Sequence, residues 1–148
     1  MSHDIAENPQ ARRVKLTRTA FATYVAENDR GGTIDIGEGD GTTFTPVELL
    51  LAAIAGCASV DVDYITSRRA EPVTFEVVSS GIKSTEGGNH LTDLLVSFHV
   101  TFGEGAGADA ARERVPQAIR RSADALCTVS RTVSLGTHVK MVDASDRG

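Results

Sequence analysis

The chain has 148 residues, a formal net charge of −5, 41% hydrophobic residues and 24% charged residues. This composition is typical of a folded globular protein, and the length predicts a single domain over residues 1–148 with a flexible tail at 1–12. The basic residues fall in short pairs such as Arg12-Arg13 and Arg120-Arg121. They form no continuous basic stripe, which argues against a nucleic-acid partner.

Two segments in the first half of the chain, the N-terminal stretch and the longest apolar run, argue against a membrane protein. The N-terminal stretch MSHDIAENPQARRVK has no apolar segment of the kind found in signal peptides. The longest apolar run, residues 46–62, is shorter than a membrane span, and Asp61 and Asp63 lie at its end. We therefore expect a soluble, cytoplasmic protein without a membrane partner.

Alternating residues in the first third of the chain predict strands. The segment VKLTRTAFATYVAEN would carry Phe21, Thr23 and Val25 on one face. The sequence NDRGG predicts a turn into a third short strand near residues 33–36, which gives a β-meander. The glycine-rich GEGDGTTF that follows lacks the spacing of a phosphate-binding loop, so we expect it to be a flexible loop.

The apolar run predicts a helix that extends to about Ser67. Thr45 suits the N-cap, Pro46 suits the first helical position, and Glu48 can bond back to the N-cap backbone to complete a capping box. The first turns carry no polar face. We therefore expect this helix to be covered on all sides by sheet, by other helices or by a second subunit.

The second half of the chain predicts two longer antiparallel strands, a helix and a last strand. The strands are expected at residues 73–82 and 91–102, with an apolar face at Leu94, Val96, Phe98, Val100 and Phe102. The helix is expected to start at Pro116, because a proline inside a helix breaks its hydrogen bonding. The last strand is expected near residues 132–142. This order predicts an α+β fold with antiparallel sheets around the central apolar, cysteine-bearing helix.

The two cysteines are the first candidates for chemistry. Cys57 lies in the middle of the apolar helix between Gly56 and Ala58, small neighbours that allow close approach to its sulfur. Cys127 is expected at the end of the last helix. Two cysteines in a reducing compartment are more often free or catalytic than a structural disulfide. From the pattern alone, a redox pair and two inert core cysteines both remain open.

The segments TPVELLLAAIAGCASVDV and CTVSRTV, in this order, resemble the osmotically inducible protein C and organic hydroperoxide resistance family (OsmC/Ohr), in its OsmC-like branch. The resemblance runs from about Val14 to Met141. It implies a small α+β fold in which two protomers intertwine into a homodimer. It also implies thiol-dependent reduction of organic hydroperoxides at the subunit boundary, and a partner subunit would cover the all-round apolar helix.

The resemblance implies successive roles for the two thiols. Cys57 would attack the O–O bond as a thiolate, release an alcohol and become a sulfenic acid. Cys127 would condense with that sulfenic acid to a Cys57–Cys127 disulfide, which an external dithiol, of a lipoyl type by the resemblance, would reduce. No metal, flavin or haem cofactor is expected.

The family also uses an arginine from the N-terminal sheet region and a glutamate near the start of the cysteine helix. Glu48 is the candidate glutamate, although the commoner pattern has it directly after the proline, where this chain has Val47. Arg30 is the candidate arginine, as the last cation before that helix. On a straight helix Glu48 and Cys57 lie about 180° and roughly 13 Å apart. Glu48 would therefore need a bent helix, act on Cys57 of a partner chain, or only cap its own helix.

Asp61 lies one turn after Cys57 on the same helix face, so its charge is expected to oppose thiolate formation unless a cation sits between them. Other functions also remain open. One is a non-enzymatic protein of the same fold that binds a small ligand or serves as a thiol redox sensor. Another is a cysteine hydrolase, for which the sequence supplies no histidine beside Cys57. The four histidines are dispersed, and no metal site is predicted.

Overall fold

The computed structural model describes residues 7–145. The chain divides into two compact units, Met1–Leu50 and Leu51–Gly148. The single domain over residues 1–148 stays a prediction, and the first half of the predicted tail at 1–12 lies outside the described residues. One helix, α1 (Pro46–Thr66), begins in the first unit and continues in the second.

The first unit contains the predicted meander. Strands β1 (Val14–Ala20), β2 (Thr23–Asn28) and β3 (Thr33–Ile36) form one antiparallel sheet in the order β1-β2-β3. Phe21 was predicted to lie on a strand face, and this prediction is wrong. Because Ala20 pairs with Thr23, Phe21 and Ala22 form the two-residue turn between the strands. Phe21 is accordingly 82% exposed, and Ala22 has a φ of 51°.

The predicted start of α1 is confirmed. The Glu48 N–H donates to Thr45 Oγ1 (3.2 Å), and the Thr45 N–H donates to Glu48 Oε1 (3.0 Å). These two bonds are the capping box, which satisfies backbone donors that the first turn of a helix leaves without partners. The helix ends at Thr66, one residue before the predicted Ser67.

Within the single chain α1 is covered along one face only, and its cover by a second subunit, one of the predicted alternatives, stays a prediction. Its buried residues are Ile54, Ala58, Val62 and Thr66, one stripe at every fourth position. Apolar side chains elsewhere on the helix are exposed, and Val60 is 54% exposed. The length prediction also needs correction, because α1 has 21 residues and is long and apolar enough to cross a membrane. Core helices of soluble proteins meet the same criterion.

The second unit contains the two predicted long strands. Strands β4 (Thr74–Ser84) and β5 (His90–Thr101) pair antiparallel over almost their full length. Three helical segments follow: α2 (Ala106–Arg121), a π-helical turn (Ser122–Leu126, hereafter the π-turn) and α3 (Thr128–Leu135). The alternating face of β5 ends at Phe102, which is buried against α2 together with Ala108 and Ala111.

The helix predicted to start at Pro116 starts at Ala106 instead, so that Pro116 lies inside α2. A proline in this position removes only one backbone hydrogen bond, that to the carbonyl of Arg112. The buried face of α2 continues on both sides of it, from Ala108 and Ala111 to Ala118. Packing of this face stabilises the helix through the proline.

The predicted last strand at residues 132–142 is also wrong. Residues up to Leu135 belong to α3, and residues 137–144 form neither a helix nor a strand. The helix is closed at both ends by local bonds: Cys127 is its N-cap, and Gly136 ends it in the left-handed conformation (φ 63°). These caps outweigh the strand preference of the β-branched residues in TVSRTV.

Candidate functional site

Cys57 lies in the middle of α1, within the second unit, and its side chain is half-buried. A side chain added at the neighbouring Gly56 would meet no atom within 4 Å. The helix is therefore open on the side of Gly56, as the small neighbours of Cys57 suggested. A small molecule can approach this part of the helix.

Cys127 lies where the π-turn meets α3, and not at the end of the last helix as predicted. Its N–H donates to the Ser122 carbonyl oxygen (2.9 Å), a bond that spans five residues and defines the π-turn. Its Sγ accepts from the Ser130 N–H (3.4 Å), so the sulfur caps α3. The side chain is fully buried, with 0% exposure. Backbone on both sides thus fixes this cysteine.

The structure brings the two cysteines together, and both are free thiols. Burial raises the pKa of Cys57, and the nearby thiol of Cys127 raises it further. The backbone N–H groups of Val129 and Thr128 act in the opposite direction and lower this pKa. The Cys57 sulfur therefore lies at the N-terminal end of α3, where free N–H groups and the helix dipole favour negative charge.

The net direction of the shift matters for chemistry. Burial and the Cys127 thiol together outweigh the two N–H groups, so the pKa of Cys57 lies above that of an ordinary thiol. Among the described residues, none of the groups responsible for this shift is a cation. The surroundings of Cys57 in the second unit thus supply hydrogen-bond donors to a thiolate, but on balance favour the protonated thiol.

Asp61 has a partner that the sequence did not indicate. Its Oδ2 accepts a hydrogen bond from Ser122 Oγ (2.8 Å), and Ser122 is only 1% exposed. This bond joins α1, one turn after Cys57, to the π-turn that carries Cys127. Asp61 was predicted to oppose thiolate formation, whereas the structure shows it as a link between the two cysteine-bearing segments.

Arg30 and Glu48 lie in the first unit, whereas the thiols lie in the second. The Asn28 side chain accepts from the N–H groups of Arg30 and Gly32 (2.9 Å each), which fixes the turn that carries Arg30. Glu48 is in the capping box, and its hydrogen bonds with the Thr45 N–H and hydroxyl lower its pKa. The alternative that Glu48 caps its own helix is thus observed. Within residues 7–145, no cluster of three potential ligands could hold a metal ion.

The family model for OsmC-like proteins matches residues 39–142, a range that contains α1 and both cysteines. This chain belongs to the OsmC-like family. Arg30 lies before the matched range, so the match does not include the candidate arginine. The family prediction made from the two cysteine segments is confirmed.

Proteins and solved structures from other organisms are similar to this chain over most of its length. An uncharacterized protein of Mycobacterium tuberculosis is 29% identical over 128 residues, which cover 85% of this chain and 91% of the relative. A crystal structure of a hypothetical protein from Aquifex aeolicus covers 87% of this chain and 91% of its own, with 23% identity and a TM-score of 0.69. A structure from Psychrobacter arcticus, provisionally named an osmotic stress induced and detoxification response protein, covers 80% and 85%, with 12% identity and a TM-score of 0.61. These structures confirm the predicted α+β fold.

Proposed function

We propose that this OsmC-like protein reduces organic hydroperoxides, with Cys57 as the attacking thiol and Cys127 as the resolving thiol. The observation that carries the proposal is the meeting of two free thiols at the start of α3, where the N–H groups of Thr128 and Val129 act on Cys57. Those donors can stabilise the Cys57 thiolate and the alkoxide that leaves the hydroperoxide. The provisional name of the Psychrobacter arcticus relative, with its detoxification response, agrees with this proposal.

The cycle has three steps. The Cys57 thiolate attacks the hydroperoxide, the O–O bond breaks, and the leaving alkoxide takes a proton to give an alcohol, while Cys57 becomes a sulfenic acid. The Cys127 sulfur then attacks the Cys57 sulfur, which releases water and forms a disulfide. An external dithiol, of the lipoyl type, reduces this disulfide and is itself oxidised to a disulfide.

The burial of the two thiols suits this division of roles. Cys57 is only half-buried, so part of its side chain is open to a hydroperoxide. Cys127 is fully buried, so a peroxide in solution cannot reach it directly. The resolving thiol is thereby protected from oxidation until Cys57 has reacted.

The attacking thiol still requires a cation, because burial keeps the pKa of Cys57 high. We propose that Arg30 supplies it and that Glu48 orients Arg30. The capping box uses Oε1 of Glu48, which leaves the second carboxylate oxygen to accept from a guanidinium. Arg30→Gln should slow the reaction of Cys57 with cumene hydroperoxide about tenfold or more, whereas Arg18→Gln, in β1, should not. Equal rates for the two variants would contradict the role of Arg30.

A homodimer is the second part of the proposal. Val47, Leu50 and Val60 are exposed apolar side chains on α1, and a partner chain would cover them. Val60→Glu should weaken the dimer in light scattering coupled to size-exclusion chromatography, whereas Val60→Thr should affect it much less. An unchanged mass for Val60→Glu, or a monomeric wild type, would contradict this assembly.

One observation favours a second candidate, a thiol redox sensor. A redox sensor needs a thiol that solvent can reach and a resolving thiol beside it, and the half-buried Cys57 next to Cys127 meets both requirements. A sensor would form the same Cys57–Cys127 disulfide, but would consume no more than about one equivalent of peroxide per chain.

Turnover with cumene hydroperoxide and dihydrolipoate separates the two candidates. The wild type should consume many equivalents, and Cys57→Ser should consume none while its circular dichroism and its mass in solution stay unchanged. Cys127→Ser should consume about one to two equivalents and then accumulate sulfinic acid at Cys57, as seen by mass spectrometry. A wild type that stops after one equivalent would support the sensor. Activity that survives Cys57→Ser would contradict both.

A further inference from the structure

A cavity of about 340 Å³ in the second unit lies between the end of α1 and α2. Four arginines line it, Arg68, Arg69, Arg114 and Arg121, although the chain as a whole has a net charge of −5. The remaining lining residues include Tyr64, Gln117 and Leu126. Among the described residues, no aspartate or glutamate lines this cavity.

The four guanidinium groups are not neutralised by the protein. The ion pairs among residues 7–145 are Arg13–Asp29 and Arg112–Asp109, and neither involves the cavity. Arg114 donates to Gln117 Oε1 (2.9 Å), and Arg69 donates to the Ile65 carbonyl oxygen at a long 3.4 Å. Each guanidinium carries five N–H donors, so most of the donors remain available to a ligand.

The dipoles of the helices explain only part of this arrangement. Arg68 and Arg69 follow the C-terminal end of α1, and Arg121 is the last residue of α2, positions that favour cations. Arg114 lies in the middle of α2, where the helix dipole does not favour a cation. Four like charges around one cavity also repel each other, and a bound anion would relieve that repulsion.

Part of the cavity's lining is apolar, with Tyr64, Ile65, Ala118 and Leu126 (hereafter the apolar wall). We propose that the cavity binds a small organic anion, with a carboxylate or phosphate group on the arginines and an apolar body against Tyr64 and Leu126. Arginine suits both groups because its planar fork bonds two oxygens at once. The volume lies within the range of about 300–1,000 Å³ that small-molecule sites occupy. This inference does not depend on the peroxidase proposal.

Titration calorimetry with two probes tests the inference on the full chain at constant ionic strength. Sodium benzoate carries a carboxylate and a ring, and inorganic phosphate carries the charge alone. Arg68 also lines a neighbouring depression with Asp63 and Glu71, so Arg121 is the better position to change. Arg121→Gln should weaken both probes about tenfold or more, since it removes charge-assisted hydrogen bonds.

Arg120→Gln is the matched control, because Arg120 is adjacent on α2 and does not line the cavity. It should leave both affinities unchanged. Tyr64→Ser should weaken benzoate more than phosphate if the apolar wall contacts the ligand body. The site is supported if at least one probe binds, if Arg121→Gln weakens that binding, and if Arg120→Gln leaves it unchanged. Equal effects of the two arginine variants, or no binding of either probe up to 10-millimolar concentrations (about the weakest range that such sites show), would overturn it.

Discussion

The two cysteines lie in opposite kinds of backbone. Cys57 belongs to a long regular helix, is half-buried, and has open space beside it at Gly56. Cys127 lies at a break between the π-turn and α3, is fully buried, and has both its N–H and its sulfur in hydrogen bonds. One thiol is accessible on a rigid element, and the other is sheltered in an irregular one.

This difference shows how one fold can keep two thiols close without making them equivalent. The regular helix holds Cys57 where a small molecule can reach it. The irregular segment supplies what a regular helix cannot, namely free N–H groups at the start of α3 that act on the Cys57 sulfur. The π-turn and the helix start after it are therefore part of the site and not only a connection.

The largest expected effect is a difference in reactivity. Iodoacetamide should alkylate Cys57 at least about 100-fold faster than Cys127 in the native protein, because Cys127 becomes accessible only when the segment opens locally. Digestion and mass spectrometry at successive times give both rates. In denaturant the two rates should converge. Similar native rates would contradict the sheltered state of Cys127.

The pH dependence of Cys57 gives the next effect. In Arg30→Gln, burial keeps the pKa of Cys57 above its ordinary value of about 8.5, so the alkylation rate should rise about tenfold per pH unit through that value without a plateau. In the wild type, the proposed guanidinium should move the plateau to lower pH. Identical profiles would contradict the role of Arg30, and an early plateau in Arg30→Gln would contradict the effect of burial.

The same raised pKa links stability to pH. In Arg30→Gln, where the proposed cation is absent, the folded state should bind the Cys57 proton more tightly than the unfolded chain does, because burial raises the pKa of this thiol. The Cys57 thiol therefore contributes fully to the free energy of unfolding below about pH 8.5. This contribution is lost as the pH rises through the pKa that the thiol has in the folded state. Cys57→Ser in the same background should lack this loss in urea unfolding measured across the pH series.

Ser122→Ala breaks the link between the two cysteine segments. Asp61 loses its hydrogen-bond donor, so the free energy of unfolding should fall by about 1–3 kcal/mol. Formation of the Cys57–Cys127 disulfide should also slow, because the π-turn is no longer tied to α1. Asp61→Asn keeps an acceptor oxygen and should cost less. Ser80→Ala, at an exposed site in β4, is the control and should have little effect on either quantity.

Thr45→Ala removes the N-cap of α1 and gives the smallest effect. The free energy of unfolding should fall by about 1 kcal/mol, measured by urea denaturation, because the Glu48 N–H loses its acceptor. The alkylation rate of Cys57 should not change, since the cap lies at the start of α1, about three helical turns before Cys57. Thr45→Ala keeps the backbone N–H that holds Glu48 Oε1, so Glu48 can still orient Arg30. A changed rate would show that the Thr45 side chain itself acts on the thiol. Thr42→Ala, in the exposed loop, is the control.

The features that the sequence predicted correctly depend on near neighbours. The capping box of Thr45 and Glu48 involves four consecutive residues, and the turn at Asn28 is closed by bonds that reach no farther than Gly32. The partly buried face of β5, from Val96 to Val100, follows from simple alternation. Such short-range chemistry can be read from residue order alone.

The features that it missed depend on distant residues or on competing local preferences. Ser122 bonds Asp61 across most of the second unit's length in sequence, and no motif marks this pair. The segment TVSRTV has the composition of a strand, and its helical state follows from the Cys127 and Gly136 caps. A cysteine is an unusual N-cap, so the usual residues that signal a helix start are absent. The pairing of the thiols came from the family resemblance, because the pattern alone left it open.

Because of the π-turn, the direction in which Cys127 faces depends on the exact number of residues between α2 and α3. A regular helix advances about 100° per residue, so removing a single residue such as Ala123 would let the segment continue as an α-helix and would rotate everything after it by roughly that angle. Cys127 and the N–H groups of Thr128 and Val129 would then face away from Cys57, although every chemical group would still be present. A one-residue deletion here would separate the two thiols more completely than many substitutions would. Conversely, a one-residue insertion into a regular helix is enough to bring them together.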